Sequence, residues 1–218
     1  MGKTKKVLIT LIILVIVLII GFLVYNYFFN NNENKEVKTV KEISDYGYSL
    51  KENESNLYKE EFDNLDKILS KSEVNYEEYA KSIAKLFIID FYTLDNKLSK
   101  NDIGGTEFIK DDMKDNFIDQ ARSTFYKYLE VKTSKRKQEL PEVSKINDIS
   151  LENTSFVIKD KKTTTSSSKK RVTTSSGTTV DAYKITISWD YKKDLGYEKE
   201  AKMIIIKDDK KLYIVEMD

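Results

Sequence analysis

The run LFIIDFYTL, residues 86–94, places one carboxylate, Asp90, inside an otherwise apolar and aromatic stretch. Such a group either faces a pocket as an acid or base, or sits as an ordinary charge on a helix shoulder. Few other groups are available for chemistry. The chain contains no histidine and no cysteine. That excludes an imidazole base, a thiol nucleophile, a thiolate or imidazole zinc site, disulfides and acylation of an N-terminal cysteine. Asp, Glu, Lys, Tyr, Ser and Thr remain, together with oxygen-bound metals. The sequence holds no phosphate loop, nucleophile elbow or dinucleotide fingerprint. NDIGG and KDDMKD lack the ligand spacing of an EF-hand loop, and Asp208 and Asp209 read as turn residues. Neither a metal nor a cofactor is expected.

A second candidate lies in DAYKITISWDY, residues 181–191. Its alternation puts Tyr183, Ile185, Ile187, Trp189 and Tyr191 on one face, with Lys184, Thr186, Ser188 and Asp190 on the other. This is the period of a half-buried antiparallel strand. The aromatic face either walls a ligand cleft or fills a core. Its unbroken regularity favours the core.

These residues must be positioned by helices that precede a sheet. SNLYKEEFDNLDKILS spaces Leu57, Phe62, Leu65, Ile68 and Leu69 helically, with Ser55 at the N-cap position. The clearest helix runs over residues 75–95. Tyr76, Tyr79, Ala80, Ile83, Ala84, Phe87, Phe91 and Leu94 form its buried stripe. At 100° per residue Asp90 falls about 60° from the stripe's centre, on the flank, where it reaches solvent, Lys97 or another lysine across the groove. DNKLSKNDIGG ends that helix, and Gly104 and Gly105 supply turn freedom. A third helix is expected over 110–131, using Met113, Phe117, Ile118, Ala121, Phe125 and Leu129. Four strands then follow in one antiparallel meander: DISLENTSFVI, DAYKITISWDY, YEKEAKMIIIK and KLYIVEM. DYGYSL, residues 45–50, suits a short extra strand. Residues 159–180, Ser/Thr-rich and basic, read as a low-complexity disordered loop.

Residues 7–25, VLITLIILVIVLIIGFLVY, carry no charge over 19 positions. As a helix they span about 28 Å, against a hydrocarbon core of roughly 30 Å. Tyr25, Tyr27, Phe28 and Phe29 suit the far interface. The run is long for a cleaved signal peptide and lacks a small-residue cleavage site. Lys3, Lys5 and Lys6 precede it, so the positive-inside rule leaves the N-terminus in the cytoplasm. The expected organisation is a cytoplasmic tail at 1–6, a transmembrane signal anchor at 7–29, a tether at 30–43 and an extracytoplasmic domain at 44–218. Without those three lysines, 34 of the 37 basic residues face 36 acids, a net charge of −2 that gives no sign of nucleic-acid binding.

The order of helices and strands, with YAKSIAKLFIIDFYTL and ISWDYKKDLGYEKEAKMIII, resembles the cone-shaped nuclear transport factor 2-like superfamily over about residues 56–218. With the anchor, the chain is similar to inner-membrane channel subunits of bacterial conjugation and type IV secretion. The resemblance implies an α+β fold, helices on a curved four-stranded antiparallel sheet, and a non-enzymatic assembly role. Its partners would be the lipid bilayer through residues 7–29 and other envelope proteins, including a second copy of itself. No functional residue carries over from those subunits. The superfamily also holds isomerases and dehydratases, whose cones pair a desolvated carboxylate with a Tyr or acid donor. By that analogy Asp90 would face Tyr183 or Tyr191.

The expected function is therefore a membrane-anchored interaction module. Its rivals are a binding protein holding an apolar small molecule or cell-wall fragment in the cone, and an isomerase-like enzyme using Asp90. The possible pocket or interface residues are Asp90, Tyr183, Trp189 and Tyr191.

Overall fold

Two antiparallel sheets and the helices between them follow the apolar periodicities of the chain. The computed structural model describes residues 15–22, 37–159 and 177–218. Residues 15–22 are helical (α1) and expose apolar side chains such as Val17, Leu18 and Phe22. No helix among the described residues is long and apolar enough to cross a membrane. The tail at 1–6 and most of the expected anchor at 7–29 lie outside the described residues, as does most of the low-complexity loop.

The domain from Thr39 to Asp218 is one compact unit. It opens on a hairpin, β1 (Thr39–Ile43) and β2 (Tyr48–Lys51), closed by Gly47 at φ 67°. Of the tether expected over 30–43, residues 39–43 are therefore strand, and residues 30–36 lie outside the described residues. The polar TVKEI shows no apolar period of its own and is ordered by pairing with YSLK. α2 (Asn56–Leu69) begins at the expected cap, where Ser55 Oγ accepts the Tyr58 N–H. α3 (Tyr76–Tyr92) begins at Asn75, whose side chain accepts from Glu77 and Glu78 N–H. A 3-10 turn (Thr106–Phe108) leads into α4 (Asp111–Ser123).

The third helix stops well before the expected residue 131. The chain breaks at Thr124, where Tyr126 N–H donates back to the Ala121 carbonyl at 2.9 Å. The break turns Tyr126 fully inward. Its hydroxyl donates to the Phe91 carbonyl at 2.7 Å and accepts from Gly104 N–H at 3.1 Å.

The large sheet runs in the order β3 (Val143–Lys159), β4 (Gly177–Tyr191), β5 (Glu200–Asp208), β6 (Lys211–Met217), all antiparallel. Register shifts near Val143, Ile146 and Ile204 mark bulges, which bend a sheet. β3 and β4 extend through Lys159 and from Gly177, so both ends of the 159–180 segment are strand rather than loop. On β4 the expected face points inward: Ile185, Ile187, Trp189 and Tyr191 are buried, and Tyr183 is half-buried. Ala201, Met203 and Ile205 continue that face on β5. α3 packs on this surface and α2 packs on α3, and together with α4 they make an α+β domain whose core holds Phe62, Tyr79, Phe87, Phe108 and Trp189.

Candidate functional site

Two features stand out around α3, and they lie on different sides of it. The first is a cleft of about 700 Å³ bounded by α3, α4, the β4–β5 turn and β6. α4 contributes Met113, Phe117 and Ala121, at i, i+4 and i+8 on one line of the helix. Ala121 is the helix's only buried residue, so α4 commits little of its surface to the core. Phe87 and Phe91 of α3 form the floor, with ring centroids 5.3 Å apart. Phe117 and Phe125 pack on Phe91 at 5.4 and 5.5 Å. The β4–β5 turn, with Gly196 at φ 78°, brings Tyr197 edge-on to Phe125 at 5.4 Å.

Polar residues border this aromatic floor: Asn116 and Gln120 from α4, Thr124 at its C-cap, and Glu198 and Glu216. No lysine or arginine lines it. β6 is the last strand of its sheet, and its outer side is bridged in parallel by Ile109 at Ile214. Beyond the bridge, residues 215–217 border the cleft. Such a site suits an apolar body with a neutral or cationic end.

The second feature is a buried polar cluster. Asp90 is 8% exposed and Lys97 3%, and Lys97 Nζ is in direct contact with Asp90 Oδ1. Lys97 is thus the partner of Asp90, one of those expected, while the expected reach to solvent is corrected. From Ser82 to Tyr92 nearly every residue of α3 is buried, so this end of the helix has no solvent shoulder. Asp90 Oδ2 accepts the Gly105 N–H at 2.6 Å. Gly104 and Gly105 are more than turn formers. A Cβ on Gly104 would stand 2.4 Å from the Asp90 carbonyl oxygen, and one on Gly105 would stand 2.6 Å from the Phe87 ring.

Glu54, also 8% exposed, is buried nearby and accepts from Asn96 Nδ2 at 3.1 Å. Burial, and then the Asp90 charge, push its carboxyl up to about 7. Desolvation works against the Lys97 ammonium, but Asp90 and Glu54 outweigh it and hold Lys97 above its usual range. Glu107 is raised by burial as well, against hydrogen bonds from Tyr58 Oη at 2.8 Å and Ser49 N–H at 3.1 Å.

None of the four residues singled out in the sequence lines the cleft. Asp90 faces the glycine loop. Trp189 is 1% exposed and packs on Tyr92 with centroids 4.7 Å apart, one layer behind the cleft wall. Tyr191 is buried and donates to the Glu198 carbonyl at 2.9 Å. Tyr183 pairs with Asn153 and Ile205 in mid-sheet, and the Glu77 and Lys207 charges act on it. The tyrosine opposite Asp90 that an isomerase would need is therefore not Tyr183 or Tyr191. The buried tyrosines near Asp90 are Tyr58 and Tyr126. The cleft residues Phe117, Phe125 and Tyr197 carried one sequence signal: more apolar surface than their elements bury. Among the described residues no group of three or more acids is placed to hold a metal ion.

Comparison with protein-family models, with curated proteins and with solved structures finds no match for this chain.

Proposed function

We infer that the chain is a membrane-anchored, extracytoplasmic, non-enzymatic interaction module, and that its working surface is the cleft between α4 and β6. One observation carries this reading: the cleft is walled by aromatic and aliphatic side chains, while the buried ionisable groups of the domain lie elsewhere. A reaction needs acids, bases or nucleophiles at the substrate. Here the volume and the chemistry are separated. The apolar run at 7–29 would hold the module at the bilayer, with the domain on the outer side.

The occupant that fits is an extended segment of a partner protein, apolar and flanked by lysine or arginine. The edge of β6 offers backbone pairing. The aromatic floor takes apolar side chains, and Glu198 and Glu216 favour basic flanks. An envelope partner of a conjugation or secretion apparatus is the setting the sequence resemblance suggests. The cleft volume also lies within the range of small-molecule sites, roughly 300–1,000 Å³.

A photo-crosslinking amino acid at Gln120, in the full chain in its own membrane, tests this. The expected product is a cross-link to a second protein through an apolar segment with basic flanks, lost on adding Phe117→Arg. Labelling of a constant low-mass adduct would instead mark a small-molecule site. No cross-link, or one that Phe117→Arg leaves intact, removes the cleft as the working surface.

A further inference from the structure

The buried cluster at the end of α3 has no part in the cleft, yet it is assembled as a reaction site. Lys97 Nζ touches Asp90 Oδ1, and Asp90 Oδ2 is held by the Gly105 N–H at 2.6 Å. Tyr58 and Tyr126, 2% and 0% exposed, lie close by. Gly104 allows its backbone against Asp90, since a Cβ there would stand 2.8 Å from Oδ1. Glu54 is a third buried ionisable group, held by the Asn96 Nδ2 donor at 3.1 Å. A dry ion pair has a large desolvation cost that its mutual attraction only partly offsets. Two neutral outcomes are open to it: proton exchange to amine and acid, or condensation.

We propose that Lys97 and Asp90 condense spontaneously in the folded domain to an intramolecular amide. A proton first passes from the Lys97 ammonium to Asp90 Oδ1; the neutral Nζ then attacks Asp90 Cγ, the Nζ–Cγ bond forms and the Cγ–Oδ1 bond breaks. Oδ1 leaves as water with two of the three ammonium protons, and the third stays on the amide nitrogen. Oδ2 becomes the amide oxygen. The Gly105 N–H already bonded to it stabilises the negative charge that gathers there during attack. Atoms and charge balance without oxidant, reductant or cofactor. The fixed contact supplies an effective concentration on the order of 10⁵ M or more, and the near-exclusion of water opposes the reverse reaction. The bond ties the last turn of α3 to the loop over residues 94–105. In a chain without cysteine it does for an exported domain what a disulfide would do.

Intact mass of the full chain in detergent tests this. The expected value lies about 18 Da, one water, below the sequence mass. Lys97→Arg and Asp90→Ala are expected at full mass. Trypsin should not cut after Lys97, so residues 86–100 emerge as one closed peptide with no fragment ions from cleavage between 90 and 97. A wild-type chain at full mass, cut after Lys97, overturns the proposal. So does a water loss that leaves the Lys97 site cleavable, because the dehydration is then at another residue.

Discussion

Within a single turn α3 serves two unlike environments. Phe87 and Phe91 floor an open aromatic cleft, whereas Asp90 between them turns to a closed pocket with Lys97, Gly105 and Glu54. The cleft has volume and almost no chemistry. The pocket has chemistry and no volume. A carboxylate's burial is thus no guide to where a ligand enters: Asp90 is enclosed because a glycine loop closes over it, and the cleft is open because α4 buries only Ala121.

Breaking the closed pocket should have the largest effect. Lys97→Met leaves the Asp90 carboxylate buried and unpaired, at an expected cost of about 3–5 kcal/mol in chemical denaturation followed by Trp189 fluorescence. Combining it with Asp90→Leu should recover most of the loss. Full loss in the double variant would mean that the Lys97–Asp90 bond or local packing, not charge pairing, sets the stability there.

The same pocket sets a pH dependence. Glu54 is raised to about 7 in the folded domain from an ordinary value near 4.5. The folded state therefore holds its proton more tightly, and stability falls as pH rises from about 4.5 to about 7, by roughly 2–3 kcal/mol from this group. Glu107, raised in the same direction, adds to that trend. Glu54→Gln should flatten the profile, and an unchanged slope would assign it to other groups.

Gly104→Ala should cost roughly 1–3 kcal/mol, since its methyl meets backbone 2.4 Å away. On the cleft side the balance reverses. Phe117→Ser, at a half-buried position, should change stability by about 1 kcal/mol or less yet abolish cross-linking from Gln120. Smallest of all, Glu139→Gln removes an exposed pair with Lys193 and should shift stability by less than about 0.5 kcal/mol.

Where local rules are decisive, the chain was legible. Ser55 acts as the N-cap where spacing put it, and α3 starts just after Asn75, the expected start of that helix. The alternation of residues 181–191 predicted the inward face of β4, and KKDLG and the Asp208–Lys211 turn separate the strands of the meander. The early end of α4 was not legible, because the apolar period runs on to Leu129. What stops the helix is the demand of Phe91 and Gly104 for the Tyr126 hydroxyl. Nor was β1, whose polar residues are ordered only by their partner strand. Lys97 stood within reach of Asp90 in sequence, but Glu54 lies far upstream and gave no sign of its part.

By itself the sequence determined the class of the domain, the order of its elements, the uncharged run at 7–25 and the absence of thiol and imidazole chemistry. Those follow from residue type and local periodicity, which need no distant partner. Only the tertiary structure decided which side of α3 is open, that Asp90 is sealed rather than exposed, and that the aromatic cleft lies one layer in front of Trp189. Each of these depends on how closely two elements far apart in the chain approach, a distance set by single residues such as Gly104.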